Sequence, residues 1–277
     1  MINKIKNFFR KKTIVKKGKF GIKYFIIQNS ALDCHISQNG IFKEWIANKV
    51  NDLIPRNGII FDIGANAGLL SVVFAKNCVP NGRVYAFEPD KENFDQLLKN
   101  IKINDFDNIK AFPIAIQNNH QAKQIKFNIR RVIDGDGNEN RGLSSLISFP
   151  TNKVSEKIVL ASTIDCEIKK NKVKRIDFLK IDVEGAEYQV LLGGKESIKK
   201  FQPIIQYECS NILDKMINTD NTKKCFYFLK NLGYKQFVII KEQRLQELKK
   251  NNSKMQDANI ICFPINKVNL LINKKLI

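Results

Sequence analysis

Three acids crowd one short stretch of the chain. Asp182, Glu184 and Glu187 lie within six residues of "KIDVEGAE" (180–187), directly after the apolar run "IDFLKI" (176–181). A strand alternates its side chains, so Asp182 and Glu184 share a face if the strand extends that far. Glu208 closes a second apolar run, "IIQYE" (204–208). Carboxylates gathered at strand ends can take a proton from a reacting hydroxyl, or offer hard oxygens to a divalent metal. Asp182, then Glu184, then Glu208 are the candidate catalytic bases, and the same three are the candidate metal ligands. Glu184 and Glu187 also suit the N-terminus of the helix that follows, where negative charge is favoured. His35 and His120 are the only histidines, and each reads as a loop or strand residue rather than a base.

A second constellation surrounds the loop Asp62-Ile63-Gly64-Ala65-Asn66-Ala67-Gly68. It follows an apolar run and precedes a helical pattern, the context in which backbone N–H groups at a helix start hold a ligand. Gly64 permits a sharp turn, and Gly68 permits close approach at the helix start. A dinucleotide site wants G-x-G-x-x-G; here Asn66 replaces the middle glycine and no third glycine follows. The Asp62 carboxylate repels a pyrophosphate but suits an ammonium or a sulfonium, and S-adenosylmethionine carries both. Glu88 ends the next strand, where a carboxylate can accept hydrogen bonds from ribose hydroxyls, a device that NAD sites share.

These residues need a scaffold, and the pattern supplies one. "IIFDIG" (59–64), "RVYAFEP" (83–89), "NIKAFPIAI" (108–116), "RIDFLKID" (175–182) and "PIIQYEC" (203–209) read as strands, mostly continuous apolar runs of the buried parallel kind. Helical patterns at 69–76, 91–104, 186–201 and 223–234 separate them, and 41–54 reads as a further helix. Alternating strand and helix define an α/β domain with a parallel sheet. "KQFVII" (235–240) and "NIICFP" (259–264) form a closing antiparallel pair, and residues 22–36 alternate as a short hairpin. In "DGDGNENRGLSS" (134–145), Asp134, Asp136 and Asn138 fit the first calcium positions of an EF-hand. Glu139 stands where that loop requires glycine and Ser145 where it requires an acid, so the motif fails. A mobile loop over the substrate site is expected instead.

"FDIGANAG" followed by "AFEPD" resembles the class I methyltransferases, and "IDFLKIDVEGAEYQVLLGG", "GLSSL", "TID" and "NIICFP" resemble the FkbM family specifically. The likeness runs from about residue 40 to 264; "LLS" after Gly68 departs from the aromatic-containing triplet often found there. The resemblance implies a Rossmann-like methyltransferase fold, a seven-stranded mostly parallel sheet with an antiparallel last strand and helices on both faces. It implies methyl transfer from S-adenosylmethionine to a hydroxyl of a sugar, glycan or related metabolite. The cofactor site it implies comprises Asp62, Gly64, Ala65, Asn66, Gly68, Glu88, Pro89, Ala115 and Asp182. The expected organisation is a basic extension with a short hairpin (1–40), a methyltransferase domain (41–266) with a central insertion at about 118–162, and a basic tail (267–277).

The chain of 277 residues carries a formal charge of +20, a field that attracts nucleic acid, anionic lipid or acidic glycans. Its first twenty residues hold eight Lys or Arg and no acid, a basic amphipathic segment able to touch an anionic membrane. A nucleic-acid-binding protein or RNA methyltransferase is one alternative. No aromatic-rich stacking motif accompanies the lysines, and "KIDVEG" stands where an amino methyltransferase would place Asn/Asp-Pro-Pro-aromatic. An NAD-dependent oxidoreductase is another. The six cysteines include no C-x-x-C pair and none are closer than sixteen residues, so no zinc site is expected. No secretory signal or membrane-length apolar run is visible, and a cytoplasmic location is the expectation.

Overall fold

The computed structural model describes residues 13–78, 81–133, 136–147, 154–240, 244–249, 258–274 and 276–277. Strands β1 (Thr13–Lys17) and β2 (Lys23–Ile27) precede helices α1 (Ala31–Asn39) and α2 (Glu44–Leu53). Then come β3 (Ile59–Ile63), α3 (Leu69–Asn77), β4 (Arg83–Phe87), α4 (Lys91–Ile103) and β5 (Ile109–Phe112). An insertion follows: β6 (Ile114–Ile116), β7 (Gln124–Arg130), β8 (Val132–Ile133), β9 (Glu139–Asn140) and β10 (Val154–Ser162). The second half runs α5 (Ile164–Lys170), β11 (Phe178–Ile181), α6 (Glu187–Gly193), α7 (Lys195–Phe201), β12 (Ile204–Cys209), α8 (Asn211–Met216) and α9 (Asn221–Asn231). It closes with β13 (Tyr234–Ile239), β14 (Leu245–Glu247), β15 (Ala258–Pro264) and α10 (Asn269–Asn273).

The main sheet has the order β14-β13-β15-β12-β11-β3-β4-β5. From β5 to β12 every pairing is parallel, and β15 is antiparallel to both β12 and β13. Seven of these strands match the expected set. The eighth, β14, hydrogen-bonds the outer side of β13. Two buried clusters sandwich the sheet, one around Phe74, Leu97 and Phe178 with the N-terminal segment, the other around Phe61, Leu191 and Leu229. Apolar side chains thus cover both faces, which is why β3, β4, β11 and β12 can be continuous apolar runs. The chain leaves β3 in one direction, toward β4 and β5, and returns to β11 on its other side. Such a reversal opens a crevice at the carboxyl ends of the strands, where Gly64, Glu88, Asp182 and Glu208 emerge.

Local chemistry explains where expectation and fold differ. Residues 108–116 do not make one strand. Pro113 has no N–H to give a ladder, so β5 stays in the main sheet while β6 leaves to pair with β10. Residues 22–36 do not form their own hairpin: β2 pairs with β1, and α1 follows. The Ser30 side chain accepts from the Asp33 N–H at one end of α1 and Gly40 closes the other at φ 69°, so caps decide against the alternating pattern. The expected tail contains α10, with Leu271 and Leu276 buried. The far side of β2 is met by α4. Asn100 Oδ1 accepts from the Phe25 N–H at 2.6 Å and Asn104 Oδ1 from the Lys23 N–H at 2.8 Å. Gln96 Nε2 and Asn104 Nδ2 donate to the carbonyls of Phe25 and Lys23. Residues 1–12 of the basic N-terminal segment lie outside the described residues.

Candidate active site

Gly64 sits at φ +74°, and a Cβ there would stand 1.9 Å from the Asp182 carbonyl oxygen. Parallel β3 and β11 therefore bring the glycine loop and the acidic turn into backbone contact. The N–H groups of Gly64 and Ala65 both donate to the Phe87 carbonyl, which ties the loop to the end of β4. Gly68 answers to packing: a Cβ would lie 2.2 Å from Leu97 of α4.

Glu88 is buried and its carboxylate is already oriented. One oxygen accepts from the Asp90 N–H at 2.9 Å, the other from the Asn66 N–H at 2.8 Å. Burial pushes its pKa up to about 7 against those hydrogen bonds. With Pro89, Asn93, Ala115, Ile116 and Phe127 it lines a cavity of about 440 Å³. Asn93 Oδ1 is buried there with no hydrogen-bond partner among the described residues. A carboxylate beside a mostly apolar slot with an unsatisfied amide oxygen fits an adenosine: ribose hydroxyls on Glu88, and the ring between apolar side chains with an amine for Asn93.

Asp62 does not line this cavity. It is fully buried, accepts from Ser71 Oγ at 2.5 Å and lies 3.0 Å from Lys180 Nζ. The direct pairing with a ligand ammonium that the sequence implied is therefore corrected: Lys180, its cross-strand neighbour, neutralises the carboxylate inside the sheet. Lys180 Nζ also donates to the Gly64 carbonyl at 2.7 Å and approaches Asp182 at 3.5 Å.

A second cavity, of about 690 Å³, shares Gly64, Asn66 and Gly142 with the first. Asp182, Glu184 and Glu208 line it, and so does Lys43 from the turn before α2. Lys43 Nζ is 2.8 Å from Asp182 and 3.1 Å from Glu208. Burial would raise the Asp182 pKa, but Lys43 and Lys180 outweigh it and hold the carboxyl well below the usual range. A carboxylate so stabilised is a poor proton acceptor, which argues against Asp182 as the base. Glu208 behaves oppositely: the charge of Asp182, then burial, pushes it up to about 8. Burial, followed by the neighbouring acids, lifts Glu184 well above the carboxylate range. Glu187 serves the turn, accepting from the Val183 and Gly185 N–H groups and from Asn221 Nδ2.

The loop expected to be mobile is anchored where it is described. Arg141 is buried and donates to Gln96 at 2.6 Å, and Ser145 Oγ lies 2.7 Å from the Glu184 carbonyl. His120 contacts Thr163 beside a different cavity, and His35 stacks edge-on with Phe42. Sequence reasoning missed Lys43, Lys180, Asn93 and Arg141. Lys180 was legible in principle, two residues before Asp182 on the same strand face. Lys43 carried no comparable signal.

A Rossmann-like sheet with an antiparallel β15, a glycine loop after β3 and a buried acid after β4 define the class I methyltransferase architecture. The methyltransferase FkbM domain matches residues 62–235, and the chain belongs to that family. It is similar to methyltransferase sdnD of Sordaria araneosa, 29% identical over 189 residues covering 56% of this chain and 68% of that protein. It is likewise similar to 2-O-methyltransferase NoeI of Sinorhizobium fredii (strain NBRC 101917 / NGR234), 29% identical over 152 residues covering 51% and 59%. Methyltransferase FkbM from Methylobacillus flagellatus KT aligns with a TM-score of 0.46 and 17% identity, covering 75% of this chain and 44% of that one. The protein is a methyltransferase. No helix among the described residues is long and apolar enough to cross a membrane.

Proposed function

We propose that this enzyme methylates a hydroxyl of a sugar, a small glycan or a related metabolite, with Glu208 as the general base. One observation carries the reading: the Glu88 cavity shares the walls Gly64, Asn66 and Gly142 with a cavity that Glu208 lines. Glu88, Asn93, Pro89 and Ala115 hold the adenosine end of the cofactor, and Asn66 and Gly64 shape the passage. S-adenosylmethionine supplies an electrophilic methyl group that needs no further activation. The chain's own task is to position the acceptor and remove its proton. Glu208 in its carboxylate form takes that proton, while Asp182 stays ionised between Lys43 and Lys180 and keeps the cationic side chains compensated. Glu208 also lines a further cavity, of about 1070 Å³, beside Ile212 and Met216, whose shared walls Asn140, Leu143 and Glu184 support an acceptor larger than one sugar. The name of the relative NoeI, a 2-O-methyltransferase, supports oxygen as the acceptor atom. Leu32 of α1 lines the same cavity as the acids, which supports a catalytic unit that extends upstream of residue 41.

The test is an acceptor screen with methyl-labelled S-adenosylmethionine against free sugars, glycosides, small hydroxylated metabolites and RNA. Base-stable label on hydroxyl-bearing small molecules is the expected positive. Label entering RNA alone would replace this reading with nucleic-acid methylation.

A further inference from the structure

Asp182, Glu184 and Glu208 can each offer an oxygen within 4.8 Å of the others, a spacing that a divalent cation could bridge. The ammonium of Lys43 already touches two of the three, Asp182 at 2.8 Å and Glu208 at 3.1 Å. Those are separations of N–H···O contacts; oxygen ligands sit at about 2.0–2.1 Å from Mg²⁺ and about 2.3–2.6 Å from Ca²⁺. The lysine is held there against its backbone preference. Lys43 has φ 45°, in the left-handed region that disfavours a side-chain-bearing residue. Such a conformation persists only when its surroundings fix it. Lys43 also lies outside residues 62–235, which match the family domain, so a side chain from upstream completes an acidic cluster that those residues build.

We propose that Lys43 is a positioning residue whose ammonium serves as the resident cation of the Asp182–Glu184–Glu208 cluster, so that the cluster works without a divalent metal and becomes a metal site when that charge is removed. The ammonium holds Glu208 beside the reaction cavity and relieves the repulsion between it and Asp182. An ammonium at this point also excludes Mg²⁺ or Mn²⁺ by charge and by volume. The role in turnover rests on the reading of Glu208 as base; the metal exclusion does not.

The experiment titrates Mn²⁺ into the cofactor-free full chain and follows free Mn²⁺ by electron paramagnetic resonance, for wild type, Lys43→Met, Lys43→Arg and Lys43→Met/Asp182→Asn. Lys43→Met should bind Mn²⁺ at least tenfold more tightly than wild type. Lys43→Arg, which keeps the charge, should resemble wild type, and the double variant should lose the gained binding. Thermal melts establish that each variant is folded; Lys43→Gln replaces Lys43→Met if the latter melts below the assay temperature. Wild-type turnover should be unchanged by chelator. Equal Mn²⁺ affinity in folded wild type and Lys43→Met, or chelator-sensitive wild-type turnover restored by Mn²⁺, overturns the proposal. Stabilisation of wild type by S-adenosylhomocysteine tests the methyltransferase reading separately, because it involves neither Mn²⁺ nor Lys43.

Discussion

Two carboxylates of the site differ in what their neighbours do to them. Asp182 faces two ammonium groups; Glu208 faces one and also the charge of Asp182. With its pKa pushed to about 8, Glu208 is mostly protonated at neutral pH and becomes a competent acceptor as pH rises. Turnover at saturating substrates should therefore climb through about pH 8 and level above it. Glu208→Gln should lower kcat by roughly 10²–10⁴ and flatten that rise, with cofactor affinity nearly unchanged. A pH profile of the variant that still climbs with full amplitude would assign the base elsewhere. Glu88→Ala removes an oriented carboxylate from the cavity proposed for the cofactor. Its affinity for S-adenosylhomocysteine, measured calorimetrically, should fall by roughly 1.5–3 kcal/mol, the range for hydrogen bonds to a charged group. Unchanged affinity would remove Glu88 from the ribose contact.

Among the elements, the strand-to-loop junction after β3 is the most constrained. Gly64→Ala would place a methyl 1.9 Å from the Asp182 carbonyl, in a backbone conformation that disfavours it. Gly137 has φ +79°, and a Cβ added there would meet nothing within 4 Å, so it isolates the conformational effect. Denaturant melts should show about 1–2 kcal/mol lost for Gly137→Ala, and a far larger loss or no folded protein for Gly64→Ala. Similar losses would mean that the β3–β11 contact yields easily. The apolar runs made this junction legible: IIFDIG and RIDFLKID read as buried strands, and the strand order that the family resemblance implied put the acids after them at one sheet edge. Lys43 was not legible, because a single lysine before an amphipathic helix looks like any solvated one. Its role exists only once the segment before α2 is brought against the ends of β11 and β12. The split at Pro113 was in principle readable, but continuous hydrophobicity on both sides masked the loss of one donor.

For the whole molecule, the fold sets which ligand stabilises it. A ligand bound only by the native state at 100 times its Kd adds about 2.7 kcal/mol. S-adenosylhomocysteine should raise the melting temperature accordingly and NADH should not, since the loop lacks the dinucleotide glycines and the adjoining cavity is lined by Asp182, Glu184 and Glu208. Equal shifts from both ligands would contradict this discrimination. The amides of α4 that meet β2 have a consequence of another kind. Four helical residues rise about 6 Å and two strand residues about 6.6 Å, so Asn100 and Asn104 keep step with Phe25 and Lys23. The helix thus imitates a third strand for a ribbon too small to be stable alone. A bare strand edge invites pairing between molecules; here side-chain amides already fill those donors and acceptors, so this side of the N-terminal ribbon offers no template for aggregation.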